Sequence, residues 1–165
     1  MKKKRKGRRK SNKGFPYERT ICHLLSAWWL GVPVKECDDV IFWRTSGSGG
    51  HATTRAKKGK KTTGKDGDIG ATDERGKPFI DLFCSEIKRG YSDESIHDII
   101  DAGPKSAKSK ILGWIEKLEA QRKRLGRPWW ILIHRRDRRE PLVILPMRAL
   151  NQLLGDDSDL EFCFC

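Results

Sequence analysis

Two acids and a lysine near the middle of the chain are the residues best suited to chemistry. Asp68 stands in Gly67-Asp68-Ile69-Gly70-Ala71, and Glu86-Ile87-Lys88 follows after a turn. Residues two apart on a strand share a face at a spacing of about 7 Å, so Glu86 and Lys88 point the same way and Asp68 can join them from a neighbouring strand. Hydrolysis of a phosphodiester needs a cation that offsets phosphate charge and lowers the pKa of the attacking water. Magnesium takes oxygen ligands and keeps several waters, so two or three carboxylates at one point suffice. Asp68 and Glu86 are the first candidates, and Glu18 joins them as a ligand or outer partner. Lys88, a mobile point charge, can orient the water or stabilise the transition state. The plainer alternative is an ordinary Glu86–Lys88 ion pair, since about one such triplet is expected by chance in so charged a chain. Against it, this is the only acidic-x-Lys triplet in the sequence. Burying two acids and a lysine would also cost several kcal/mol per ion unless a metal, or the groups themselves, compensate.

The elements that must position these groups can be read from punctuation and periodicity. Pro16 suits a first helical turn, and the helix it opens runs to Leu30, where Gly31 and Pro33 stop it. Ile21, Leu24, Leu25 and Trp28 mark its core face, with Glu18 beside a partly apolar stripe. Val40–Arg44 reads as a strand that ends in Thr45-Ser46-Gly47-Ser48-Gly49-Gly50. Asp68–Thr72 is the second strand, 73–78 its turn, and Phe79–Lys88 a third strand, apolar on both faces and so expected at the centre of the sheet. A short helix over Ser92–Asp101, capped by Ser92, precedes a longer one over Ser106–Leu125. Trp129–His134 and Leu142–Leu145 complete the strands, and Met147–Leu154 is a terminal helix. This order, αβββαβ with additions, predicts an α/β fold with a mixed central sheet flanked by helices. Trp28, Trp29, Trp129 and Trp130 read as core or interface aromatics rather than stacking platforms for bases.

At 165 residues the chain fits one domain, taken as 14–155 between a basic tail, 1–13, expected to be disordered, and a C-terminal tail, 156–165. Its net charge of +13 calls for a polyanionic partner. The charge is segmental: residues 2–10 carry eight basic side chains and no acid, and 51–66 carry six against Asp66 alone, which leaves the remainder balanced. Five cysteines, with Cys22 and Cys84 inside predicted elements, argue against a disulfide framework and for a reducing compartment. Cys163-Phe164-Cys165 lacks a second ligand pair at zinc spacing. No apolar run is long enough for a membrane span, so a soluble protein of the cytoplasm is expected.

Glu18 on its helix, Arg44-Thr45-Ser46-Gly47-Ser48-Gly49, Asp68 and Glu86-Ile87-Lys88 together resemble the PD-(D/E)XK nuclease superfamily. Within it the chain is most similar to the archaeal-type Holliday junction resolvases also found in phages, over roughly Gly14 to Lys88. The resemblance implies a restriction-endonuclease-like core and a metal served by Glu18, Asp68 and Glu86, with Lys88 and Ser46 completing the catalytic set. It implies Mg2+, with Mn2+ as a substitute. The partner would be branched double-stranded DNA, a four-way junction nicked symmetrically by a homodimer in DNA recombination and repair. Ser46, Gly47 and Ser48 are expected to touch the DNA backbone, as are Arg44, His51, Arg55, Lys57, Lys58, Lys60, Lys61 and Arg89. The Lys-rich insert between Ser46 and Asp68 departs from short resolvases. Two other readings stand: a general or sequence-specific endonuclease on the same fold, and a non-catalytic nucleic-acid-binding protein whose basic segments are its whole function.

Overall fold

Helix α1, Gly14–Leu30, opens the computed structural model, which describes residues 14–45, 67–97 and 109–155. Tyr17, Ile21 and Cys22 form its buried stripe, the spacing of three and four that sets side chains on one helical face. Strand β1, Phe42–Arg44, pairs antiparallel with β2, Ile69–Ala71, so that Arg44 lies opposite Ile69. Both are shorter than the sequence suggests, because only the paired residues carry the ladder.

The largest departure follows. The expected strand over Phe79–Lys88 is split: α2 covers Lys77–Leu82, and β3 starts only at Phe83 and runs to Arg89. Pro78 in the first helical turn has no amide to satisfy, and Phe79, Leu82 and Phe83 recur at three and four, a helical as well as a two-sided strand pattern. A single 3-10 turn, Glu74–Gly76, leads in, with the Asp73 side chain accepting from Arg75 N. Phe79 then stacks on Phe83 and meets Phe42 and Trp29 edge-on.

Helix α3, Lys110–Leu125, is the crossover that allows β3 to run parallel to β4, Trp129–Arg135. Ser109 accepts from Ile111 N at its start, and Gly126 closes it at φ 68°. Strand β5, Leu142–Ile144, pairs antiparallel with β4, and α4, Met147–Leu154, follows. The sheet β3-β4-β5 is therefore mixed, with helices on it, an α/β architecture of the restriction-endonuclease-like kind. β4, rather than β3, is its middle strand. β3 has β4 on one side and meets the β1–β2 hairpin on the other through one backbone bond, Asp68 N to Ser85 O at 3.0 Å. Ser92 does not cap a helix: Glu94 N bonds Tyr91 O, Ser95 Oγ accepts from His97 N, and the rest of that predicted helix lies outside the described residues.

Strand alternation divides the core between two layers. Phe83, Ile87, Ile131 and Ile133 pack with Tyr17, Ile21, Phe42 and Ile69 under α1, while Cys84 and Leu132 pack with Ile111 and Leu118 under α3. Trp130 is buried, whereas Trp28 is 57% exposed. It borders an apolar cavity of about 410 Å³ with Leu24, Leu25, Val143, Leu150 and Leu153. Cys22, Cys37 and Cys84 are buried and are not disulfide-bonded. No helix among the described residues is long and apolar enough to cross a membrane.

Candidate active site

The junction between hairpin and sheet is where the chemical residues meet. Gly67 at φ 93° brings the chain so near β3 that a β-carbon there would stand 2.9 Å from Ser85 O. Only glycine fits both the left-handed backbone and that approach. Thr45 Oγ1 donates to Gly67 O at 2.5 Å, and Ile69 N donates to Ser85 Oγ at 3.2 Å. Thus fixed on both flanks, Asp68 is 5% exposed and its Oδ2 accepts Ile87 N at 2.7 Å. It thereby takes an amide of β3 that no neighbouring strand pairs. Glu86 and Lys88, on either side of Ile87, form an ion pair on one face. From α1, Glu18 Oε2 receives Arg44 Nη1 at 3.2 Å, and the Arg44 guanidinium also covers the Phe15 ring at 4.0 Å.

The charges behave as one group. Burial raises the pKa of Glu86, and the Asp68 carboxylate raises it further, against the opposing pull of Lys88 and Lys117. Burial likewise raises Glu18, with Asp68 adding to the shift while Arg44 and Lys88 oppose it. Burial works against the Lys88 ammonium, yet Glu86 and Asp68 outweigh it and hold Lys88 above its ordinary pKa. Lys88 is thus a cation through the neutral range. It suits donation to an oxyanion or a water and not proton abstraction.

Glu18, Asp68, Glu86 and Lys88 are accordingly brought into one electrostatic neighbourhood, as their spacing suggests. The three acids do not close into a shell: among the described residues, no three His, Cys, Asp or Glu side chains are grouped to hold a metal ion. Glu18 turns to Arg44, Glu86 to Lys88 and Asp68 to the Ile87 amide, since like charges separate towards available donors. Asp68 and Glu86 offer oxygen alone, which fits a hard divalent cation, and they are the residues that would hold one. Arg44 and Arg89, expected on DNA, are both engaged within the protein: Arg44 with Glu18, and Arg89 with Asp137 at 3.8 Å. Ser46, Gly47, Ser48, His51, Arg55, Lys57, Lys58, Lys60 and Lys61 lie outside the described residues.

Sequence reasoning missed three contributors. Ser85 and Thr45 carry no charge, and Thr45, though it stands in the Arg44–Gly49 stretch, has no expected role there, yet both hold the backbone of Asp68 in place. Lys117 reaches the field of Glu86 from α3. Its only signal was its place one turn after Trp114, at the margin of the helix's apolar stripe.

Over residues 9–161 the chain matches the family model whose description is "Phage putative PDDEXK endonuclease". No curated protein and no solved structure matches it.

Proposed function

The chain belongs to the phage PD-(D/E)XK endonuclease family, and from that premise we propose that Asp68, Glu86 and Lys88 are its hydrolytic centre and the four-way DNA junction its substrate. The observation that carries the catalytic half is the Asp68 carboxylate lodged on the Ile87 amide, between Glu86 and Lys88. Members of this superfamily usually work with divalent metal ions; bound at Asp68 and Glu86, Mg2+ would supply an acidified water and charge neutralisation at the phosphate. The protein's own part is positional and electrostatic. Asp68 is fixed by backbone, Lys88 offers a permanent cation to the developing phosphorane charge, and Arg44 holds the Glu18 carboxylate at the margin of the site.

The choice of junctions is supported by the resemblance of Glu18, Asp68 and Glu86-Ile87-Lys88 to resolvases and by basic segments that suit a sequence-neutral grip on phosphates. Symmetric nicking requires paired sites, so the proposal includes a homodimer acting on recombining phage DNA in the cytoplasm of the infected cell. The family match names an endonuclease, and a second reading, a general or sequence-specific endonuclease on the same fold, fits that match equally. Incubation with a labelled four-way junction, a splayed duplex and a linear duplex, with Mg2+, Mn2+ or a chelator, separates the two. Paired nicks confined to the junction, abolished by the chelator, are expected. Linear duplex cut as fast as the junction would establish the general enzyme, and binding without any cleavage would leave only a binding protein.

A further inference from the structure

The turn between β4 and β5 reads Arg135-Arg136-Asp137-Arg138-Arg139-Glu140, and the sheet sets it beside the site. β3 and β4 run parallel with Lys88 opposite His134 and Arg89 opposite Arg135. The turn therefore leaves the sheet one rung, about 3.3 Å, beyond Lys88. Its frame is tied internally: Arg139 N bonds Arg136 O at 3.2 Å, and Arg135 Nε donates to Arg139 O at 2.7 Å. Asp137, its central acid, is drawn to Arg89. Arg138 and Arg139 are exposed and Arg136 half-buried, and among the described residues none of the three is paired with a carboxylate. Elsewhere Arg75, Lys77, Lys110 and Arg122 each hold one.

Two further observations mark the turn. The guanidiniums of Arg89 and Arg135 lie 5.8 and 5.9 Å from the centre of the same Tyr17 ring. The ring thus seats two guanidiniums at adjacent strand ends, with Asp137 beside Arg89, and planar guanidiniums held in place are suited to binding phosphate oxygens. Arg138 has φ 61°, the left-handed conformation in which glycine or asparagine is at ease. The backbone there bears strain while presenting a charged side chain.

We infer that this turn is a phosphate grip of the nuclease. Arg136, Arg138 and Arg139, backed by Arg89 and Arg135 on Tyr17, bind the DNA backbone beside the phosphate being cut. The grip rests on the nuclease reading above and adds to it a surface outside the two basic segments. Such contacts set register and orientation without reading bases.

The test uses the full chain, with binding to a fluorescent junction and duplex measured in chelator across a salt series, and cleavage measured separately in Mg2+. Deleting one arginine–phosphate pair should reduce the log–log salt slope by about 0.9 and weaken binding roughly five- to tenfold at ~100 mM salt. Arg138→Gly should show that single decrement while its thermal midpoint stays level or rises, because the substitution relieves the strained φ. The triple variant Arg136→Ala, Arg138→Gly, Arg139→Ala should show about three times the decrement in slope. A triple variant with unchanged affinity and slope, in a protein whose parent cleaves DNA, overturns the grip and leaves the nuclease intact. A parent that neither cleaves nor binds DNA overturns both.

Discussion

Lys88 sits among acids that keep it charged, and this fixes what it can do. In the proposed mechanism, removing it would take a permanent cation from the reacting phosphate while the basic surfaces remain. Lys88→Ala should therefore lower the cleavage rate by about 10²–10³-fold with little change in DNA affinity, as read by single-turnover cleavage beside a binding titration. Equal cleavage by the variant would remove Lys88 from the mechanism. The acids yield a second expectation. Folding raises the pKa of Glu18 and Glu86 above the ordinary 4.5, so the folded state favours their protonated forms. Their contribution to stability is full below that value and is lost as pH rises through the raised pKa. Asp68→Asn removes a carboxylate that raises both while preserving an acceptor for the Ile87 amide. The variant should lose less stability than the parent as pH rises from 4.5 through the raised pKa values, measured as urea midpoints. Parallel curves for the two proteins would mean that Asp68 does not govern the pair.

Between elements, the decisive feature is the approach of the β1–β2 hairpin to β3. Gly67→Ala would force a β-carbon against the Ser85 carbonyl and strain the left-handed backbone, at a cost of about 1–3 kcal/mol. Ser85→Ala would strip the buried Ile69 amide of its acceptor, costing about 1–3 kcal/mol. Both should also reduce cleavage, because both loosen Asp68, and calorimetry beside the junction assay would reveal either effect without the other. The same approach explains how far sequence reasoning could reach. Acid-x-Lys spacing, the helix around Glu18 and the strand around Ile131 were legible because periodicity and charge are local. The split at Phe83 was not, since Phe79, Leu82 and Phe83 satisfy a helix and a two-faced strand alike, and Pro78 with the Asp73 cap decides between them. Nor was the seating of Arg44 on Glu18, a pairing of residues 26 positions apart.

Across the whole molecule, charge and apolar surface occupy different regions. Arginines and Lys88 crowd the end of β3 and β4, whereas Trp28 and Val143, 57% and 55% exposed, border the cavity between α1, β5 and α4. If the proposed homodimer uses that apolar region, Trp28→Asp should yield a monomer in sedimentation equilibrium and lose paired nicking while retaining single nicks. A variant that remains dimeric would place the interface elsewhere. The two sheets, meanwhile, are stitched together at Asp68 and Ser85, with the Ile87 amide held by a carboxylate where a further strand would otherwise pair. That amide is consequently a clock for the protein's breathing. Its deuterium uptake counts the moments when the hairpin lifts from β3, and each of those moments is one in which Asp68, the proposed metal-holding aspartate, is out of place.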